Sequence, residues 1–151
     1  ELLQQARQRL EAPTPRVALG LALRGIASSA LDVSDGLLGD LGHILELSSV
    51  GATVDSRCVT PLMAAAAYAS GSAWQLDARL QQQCTLAGGD DYELCFTAPA
   101  ARHADVLAAG AASGTTVHRI GRIDAEPGLR VIDANGALLQ NRWKSFDHFG
   151  S

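Results

Sequence analysis

No segment of this 151-residue chain gathers a basic run, a paired set of cysteines or an apolar stretch of membrane length. Each absence removes a class of function. Sixteen acidic against twelve basic side chains give a net charge of −4. The basic residues are scattered and cannot track a phosphate backbone, which argues against nucleic acid. The longest apolar stretches, such as Leu62 to Ala69, fall far short of the ~20 residues a membrane span needs. Nothing reads as a signal peptide. Cys58, Cys84 and Cys95 are odd in number and form no C-x-x-C, so neither a disulfide framework nor a zinc site is indicated, and a reducing cytoplasm fits best. There is also no G-x-x-x-x-G-K-[ST] loop and no protein-kinase motif set, so nothing here cradles a nucleoside triphosphate alone.

What remains is the composition of an ordinary globular domain: 47% hydrophobic residues, 19% charged and 15 glycines, which implies many tight turns. The length suits one core, burying roughly two-thirds of the surface of the unfolded chain. The sequence starts at Glu1 and is at once helix-like through Leu10, so we expect a piece of something longer.

Periodicity predicts helices from Leu2 to Leu10, Arg16 to Ile26, Leu37 to Leu47, Pro61 to Ala69, Leu76 to Leu86 and Pro99 to Ala112. In the third of these, Leu37, Leu41, Ile44 and Leu45 form the stripe that packs on a sheet, Asp40, His43 and Glu46 lie elsewhere, and Gly51 stops the helix. Strands are expected at Ser29 to Val33, Ala52 to Asp55, Glu93 to Ala98, Thr116 to Ile123 and Leu129 to Ile132, the last followed by the hairpin signal Ala134-Asn135-Gly136. Helices and strands interleave. The expected fold class is therefore α/β (α+β), a mixed sheet backed by helices.

Three segments carry candidate chemistry. In Asp32-Val33-Ser34-Asp35-Gly36-Leu37 a strand hands two carboxylates and a hydroxyl to the turn before a helix. Such hard oxygens suit Mg²⁺, with Ser34 placed to touch a phosphate. The plainer alternative is that Ser34 or Asp35 caps the helix for ~1 kcal/mol. Capping leaves Asp32 unexplained, at the end of an apolar strand where a bare charge is costly to desolvate. In Gly88-Gly89-Asp90-Asp91-Tyr92-Glu93-Leu94, two glycines let the backbone approach a ligand, and Asp90 suits a cationic or amine-bearing one. The alternative there is a solvated turn with Tyr92 and Leu94 packed inward. The ending Trp143-Lys144-Ser145-Phe146-Asp147-His148-Phe149 offers rings that either stack on a flat heterocycle or simply pack. His43, His103 and His118 fall in unrelated contexts and read as solvated surface.

Taken together, Asp-Val-Ser-Asp-Gly-Leu with Asp40-Leu41-Gly42-His43-Ile44, then Gly-Gly-Asp-Asp-Tyr-Glu-Leu-Cys-Phe-Thr, then Trp-Lys-Ser-Phe-Asp-His-Phe resemble the bacterial thiamine-monophosphate kinases. The similarity runs from about Leu10 to Phe149. Those enzymes belong to the aminoimidazole-ribonucleotide synthetase superfamily, with two α/β domains and ATP and several Mg²⁺ ions between them. The resemblance implies that residues 1–151 are the second domain and that the N-terminal ATP-binding half lies outside this chain. It implies Asp32 and Asp35 as Mg²⁺ ligands, Ser34 as an ATP contact, Asp90 and Phe146 as thiamine-phosphate contacts, and a homodimer at full length. Asp90 stands where some relatives have Glu, and Phe146 where some have Tyr.

The implied reaction moves the γ-phosphoryl group of ATP onto thiamine monophosphate. Because the acceptor oxygen is already ionised, no catalytic histidine is required. Two rivals stay open. One is a sister enzyme of the superfamily, aminoimidazole-ribonucleotide or selenophosphate synthetase-like, and the other is a non-catalytic module that binds a small ligand.

Overall fold

The computed structural model describes residues 2–59, 77–90 and 92–139, except the side chains of residues 2, 3, 5 and 6. The helix expected from Pro61 to Ala69 and the aromatic ending with Phe146 lie outside the described residues. In place of a single core, the chain divides into two compact units, residues 1–34 with 90–117, and residues 35–89 with 118–151. Among the described residues no helix is long and apolar enough to cross a membrane.

In the first unit, α1 (Leu2–Glu11) and α2 (Val17–Ala22) precede strand β1 (Ser29–Asp32). Helix α2 is shorter than its apolar spacing suggests. The Leu23 carbonyl accepts the N–H groups of both Ile26 and Ala27, closing a turn instead of continuing the helix. Strand β1 pairs antiparallel with β3 (Leu94–Thr97), Ser29 opposite Thr97 and Asp32 opposite Leu94. After β3, Pro99 sets the entry to a 3₁₀ turn (Ala100–Arg102) that leads into α6 (His103–Ser113). Leu19 and Leu23 bury against Ala109, with Leu94, Phe96, Val106 and Val117 packed around them. Fully burying each such leucine contributes about 1.5–3 kcal/mol. That packing fixes α2 and α6 on the β1–β3 ladder.

The second unit centres on α3 (Leu37–Ser48) and β2 (Gly51–Asp55). The expected stripe of Leu37, Leu41, Ile44 and Leu45 is buried, and so is Leu38. Asp40 departs from the expectation: it is 5% exposed, and its carboxylate accepts the Asp35 N–H at 3.0 Å. Helix α3 ends on Ser49, whose φ of 54° takes the left-handed role assigned to Gly51. Gly51 instead opens β2, where a Cβ would meet the Glu126 carbonyl oxygen at 2.0 Å.

Strand β2 continues into the short α4 (Ser56–Val59), and α5 (Ala78–Ala87) packs on both α3 and α4. Strand β2 lies between β4 (Gly121–Asp124), antiparallel, and β5 (Gly128–Ile132), parallel. Its residues Gly51 to Val54 are all buried, as expected of a central strand covered on both faces. Beyond β5, the Asp133 carboxylate accepts the N–H groups of Asn135 and Ala137, and Ile132 bridges Leu138. The Asn-Gly signal thus marks a real chain reversal. The fold is α/β, with a two-stranded antiparallel sheet in one unit and a three-stranded mixed sheet in the other.

Candidate functional site

The β1–β3 ladder does not stop at Asp32. The Val33 N–H donates to the Glu93 carbonyl, the Tyr92 N–H to the Val33 carbonyl and the Asp90 N–H to the Ser34 carbonyl, each at 2.8 Å. Tyr92 and Glu93 both bond across to Val33, a β-bulge of the kind found beside functional sites. Asp90 (φ 64°) and Tyr92 (φ 50°) are both in the left-handed region. A non-glycine residue there costs on the order of 1 kcal/mol or more. Two motifs distant in the sequence are thereby joined backbone to backbone.

Side chains converge as well. The Tyr92 hydroxyl donates to the Asp90 carboxylate at 3.1 Å. This hydrogen bond first, then the Asp90 charge, partial burial and the Asp32 charge hold the Tyr92 phenol above its ordinary pKa. The Ser34 carbonyl joins Asp90 through the backbone. Asp35 is the next residue along the chain, where the second unit begins.

Asp32 and the start of α3 differ from expectation. Strand β1 alternates, with Ala30 and Asp32 exposed, so Asp32 is not a charge desolvated at the end of a buried strand. Nor does Ser34 or Asp35 occupy the N-cap of α3; that position is Gly36, at φ 113° and ψ 145°. His43, His103 and His118 are exposed, as expected. No disulfide joins the three cysteines, of which Cys58 and Cys84 are exposed and Cys95 is buried.

Sequence reasoning passed over Glu93. Its carboxylate takes a two-pronged fork from Arg16, Nε to Oε2 and NH2 to Oε1 at 2.8 Å each, and a further bond from Arg9. This pairing raises the Arg16 pKa, the side-chain hydrogen bond being the largest cause. The fork ties α1 and the segment before α2 to the strand that follows the Asp90 turn. An acid just after the Asp-Asp pair was visible in the sequence, but nothing there indicated which arginine it meets.

Among the described residues, no group of three or more Asp, Glu, His or Cys side chains is arranged to hold a metal ion. Carboxylate oxygens such as those of Asp32 and of Asp35 are the hard ligands that Mg²⁺ takes.

A mixed α/β domain whose acidic turns meet at the end of a two-stranded ladder is the class that these features define. Residues 2–134 match the family described as AIR synthase related protein, C-terminal domain, and the chain belongs to that family. It is 38% identical over 145 residues to the thiamine-monophosphate kinase of Salmonella typhimurium, covering 95% of this chain and 42% of that protein. It resembles the crystal structure of thiamine-monophosphate kinase from Stenotrophomonas maltophilia K279a with a TM-score of 0.73 at 45% identity, over 83% of this chain and 37% of that one. A structure of AaThiL complexed with AMPPCP and TMP matches with a TM-score of 0.69 at 26% identity, over 94% and 40%. The chain spans about two fifths of the length of the curated relatives it matches.

Proposed function

We propose that this chain is the C-terminal part of a thiamine-monophosphate kinase, which forms thiamine diphosphate and ADP from thiamine monophosphate and ATP. The observation that carries the reading is the junction of the two acidic motifs, with the Ser34 carbonyl accepting the Asp90 N–H and the Val33 carbonyl accepting the Tyr92 N–H. A solvated turn needs no such convergence. The kinases of this family that match over most of the chain, and the relative complexed with AMPPCP and TMP, support the same chemistry.

In this reading Asp32 and Asp35 hold Mg²⁺, Ser34 contacts ATP, and Asp90 and Phe146 contact thiamine monophosphate. Mg²⁺ supplies positive charge where two phosphate anions must approach. Asp32 and Asp35 would hold it through their carboxylates, and so partial a set leaves room for phosphate oxygens. Asp90 accepts from the amine of the substrate or offsets its positive charge. The acceptor phosphate is already an anion, so no side chain of this chain need remove a proton. The nucleotide pocket and the remaining metal ligands belong to an N-terminal half outside this chain, and the whole enzyme works in the cytoplasm as a homodimer.

The test is an assay of thiamine diphosphate formation with ATP, Mg²⁺ and thiamine monophosphate. Full-length protein should turn over and residues 1–151 alone should not. Robust turnover by the 151-residue chain would overturn the division of labour, and an inactive full-length protein would overturn the assignment.

A further inference from the structure

The side chain of Tyr92 bonds directly to the carboxylate assigned to the substrate. Its hydroxyl donates to Asp90 Oδ1 at 3.1 Å. Both residues adopt positive φ although neither is glycine. The backbone on either side is pinned, the Asp90 N–H by Ser34 and the Tyr92 N–H by Val33, at 2.8 Å each. The ring is 39% exposed, so burial alone does not account for its place. Strained backbone persists where the surroundings over-determine it, and it clusters at binding elements. With this backbone the phenol hydroxyl meets the carboxylate two residues earlier.

We infer that Tyr92 is a positioning residue for thiamine monophosphate, acting through Asp90. By occupying Oδ1, the hydroxyl fixes the plane of the carboxylate and leaves Oδ2 to accept from the amine of the substrate. A carboxylate free to rotate would have to be ordered when the ligand binds, and that lost freedom weakens binding. The inference rests on the kinase reading above and adds to it a residue that no motif role assigns.

The test uses full-length protein carrying Tyr92→Phe, Asp90→Asn or both, with KM measured for each substrate. Tyr92→Phe keeps the ring and removes one hydrogen bond, so KM for thiamine monophosphate should rise about two- to tenfold. KM for ATP and the thermal midpoint should hold. In the Asp90→Asn background, Tyr92→Phe should add little, because its target has already been altered. An unchanged KM in Tyr92→Phe, equal effects on both substrates, or full additivity with Asp90→Asn would overturn the positioning role alone. Wild-type protein that neither binds nor phosphorylates thiamine monophosphate would overturn this inference and the kinase reading together.

Discussion

Gly36 is where the acidic turn becomes helix α3, and replacing it with alanine tests the local architecture most directly. Its φ of 113° and ψ of 145° lie where L residues are strained. A Cβ built there would stand 2.9 Å from both the carbonyl carbon and the oxygen of Ala87, and 3.0 Å from its Cα. These are backbone atoms at the end of α5 and cannot swing aside as a flexible side chain would. Strain of this kind costs about 1–3 kcal/mol, and overpacking a filled site another 1–3. Gly36→Ala should therefore destabilise the chain by about 2–6 kcal/mol, a large share of the 5–15 typical of whole domains. At this chain length, that lowers the melting temperature by about 5–20 °C. Gly42 provides the control, since it lies within α3 and a Cβ there meets nothing within 4 Å. Gly42→Ala should stabilise by about 0.5–1 kcal/mol through helix propensity alone. The measurement is urea unfolding followed by far-UV circular dichroism. A Gly36→Ala protein within 0.5 kcal/mol of wild type would refute the clash.

Arg16→Ala removes the fork on Glu93 and should cost about 1 kcal/mol, because the pair is only part-buried; Glu93→Gln in the same background should add less than it does alone, and full additivity in urea unfolding would refute the link. Asp55 and Asp124 are held below the usual aspartate pKa, Asp55 chiefly by the Arg57 side chain and Asp124 chiefly by the Thr53 hydroxyl. Their stabilisation is present above the unfolded value of about 3.9 and is lost as pH falls through the lower folded values. The urea midpoint should thus drop on acidification below about pH 4, and less steeply in Asp124→Asn. In full-length protein, Asp35→Asn should lower kcat by about a hundredfold or more, as loss of transition-state charge stabilisation does. It should leave the thermal midpoint of residues 1–151 within a few degrees, and a variant that unfolds yet keeps normal specific activity would make Asp35 a structural residue.

The legible parts of the sequence were those with a local physical cause. The Leu37, Leu41, Ile44 and Leu45 stripe specified a buried helix face, and the Asn-Gly pair specified a reversal after β5. The two acidic motifs were legible as polar turns, and their backbone junction was not. What stayed hidden depended on partners far along the chain. Asp40 was set apart from the buried stripe because periodicity counts apolar residues and cannot see a carboxylate accepting the Asp35 N–H. The stretch from Thr116 resembled one long strand, yet only Gly121–Asp124 finds β2 to pair with. A single sheet was expected because strand propensity says nothing of which strands meet, and the chain forms two.

The Asp90 turn shows why its energetics could not be read locally. Two non-glycine residues at positive φ would each cost on the order of 1 kcal/mol or more in an isolated loop. Three inter-strand backbone hydrogen bonds surround them here, each worth about 0.5–1.5 kcal/mol net. The Arg16 fork holds the adjoining Glu93 from the other side. The supports therefore match the strain in size. A carboxylate presented from such a turn has little freedom left to lose when a ligand arrives. In the kinase reading proposed above, pre-organisation, more than the number of acids, is the feature separating Asp90 from an ordinary solvated aspartate.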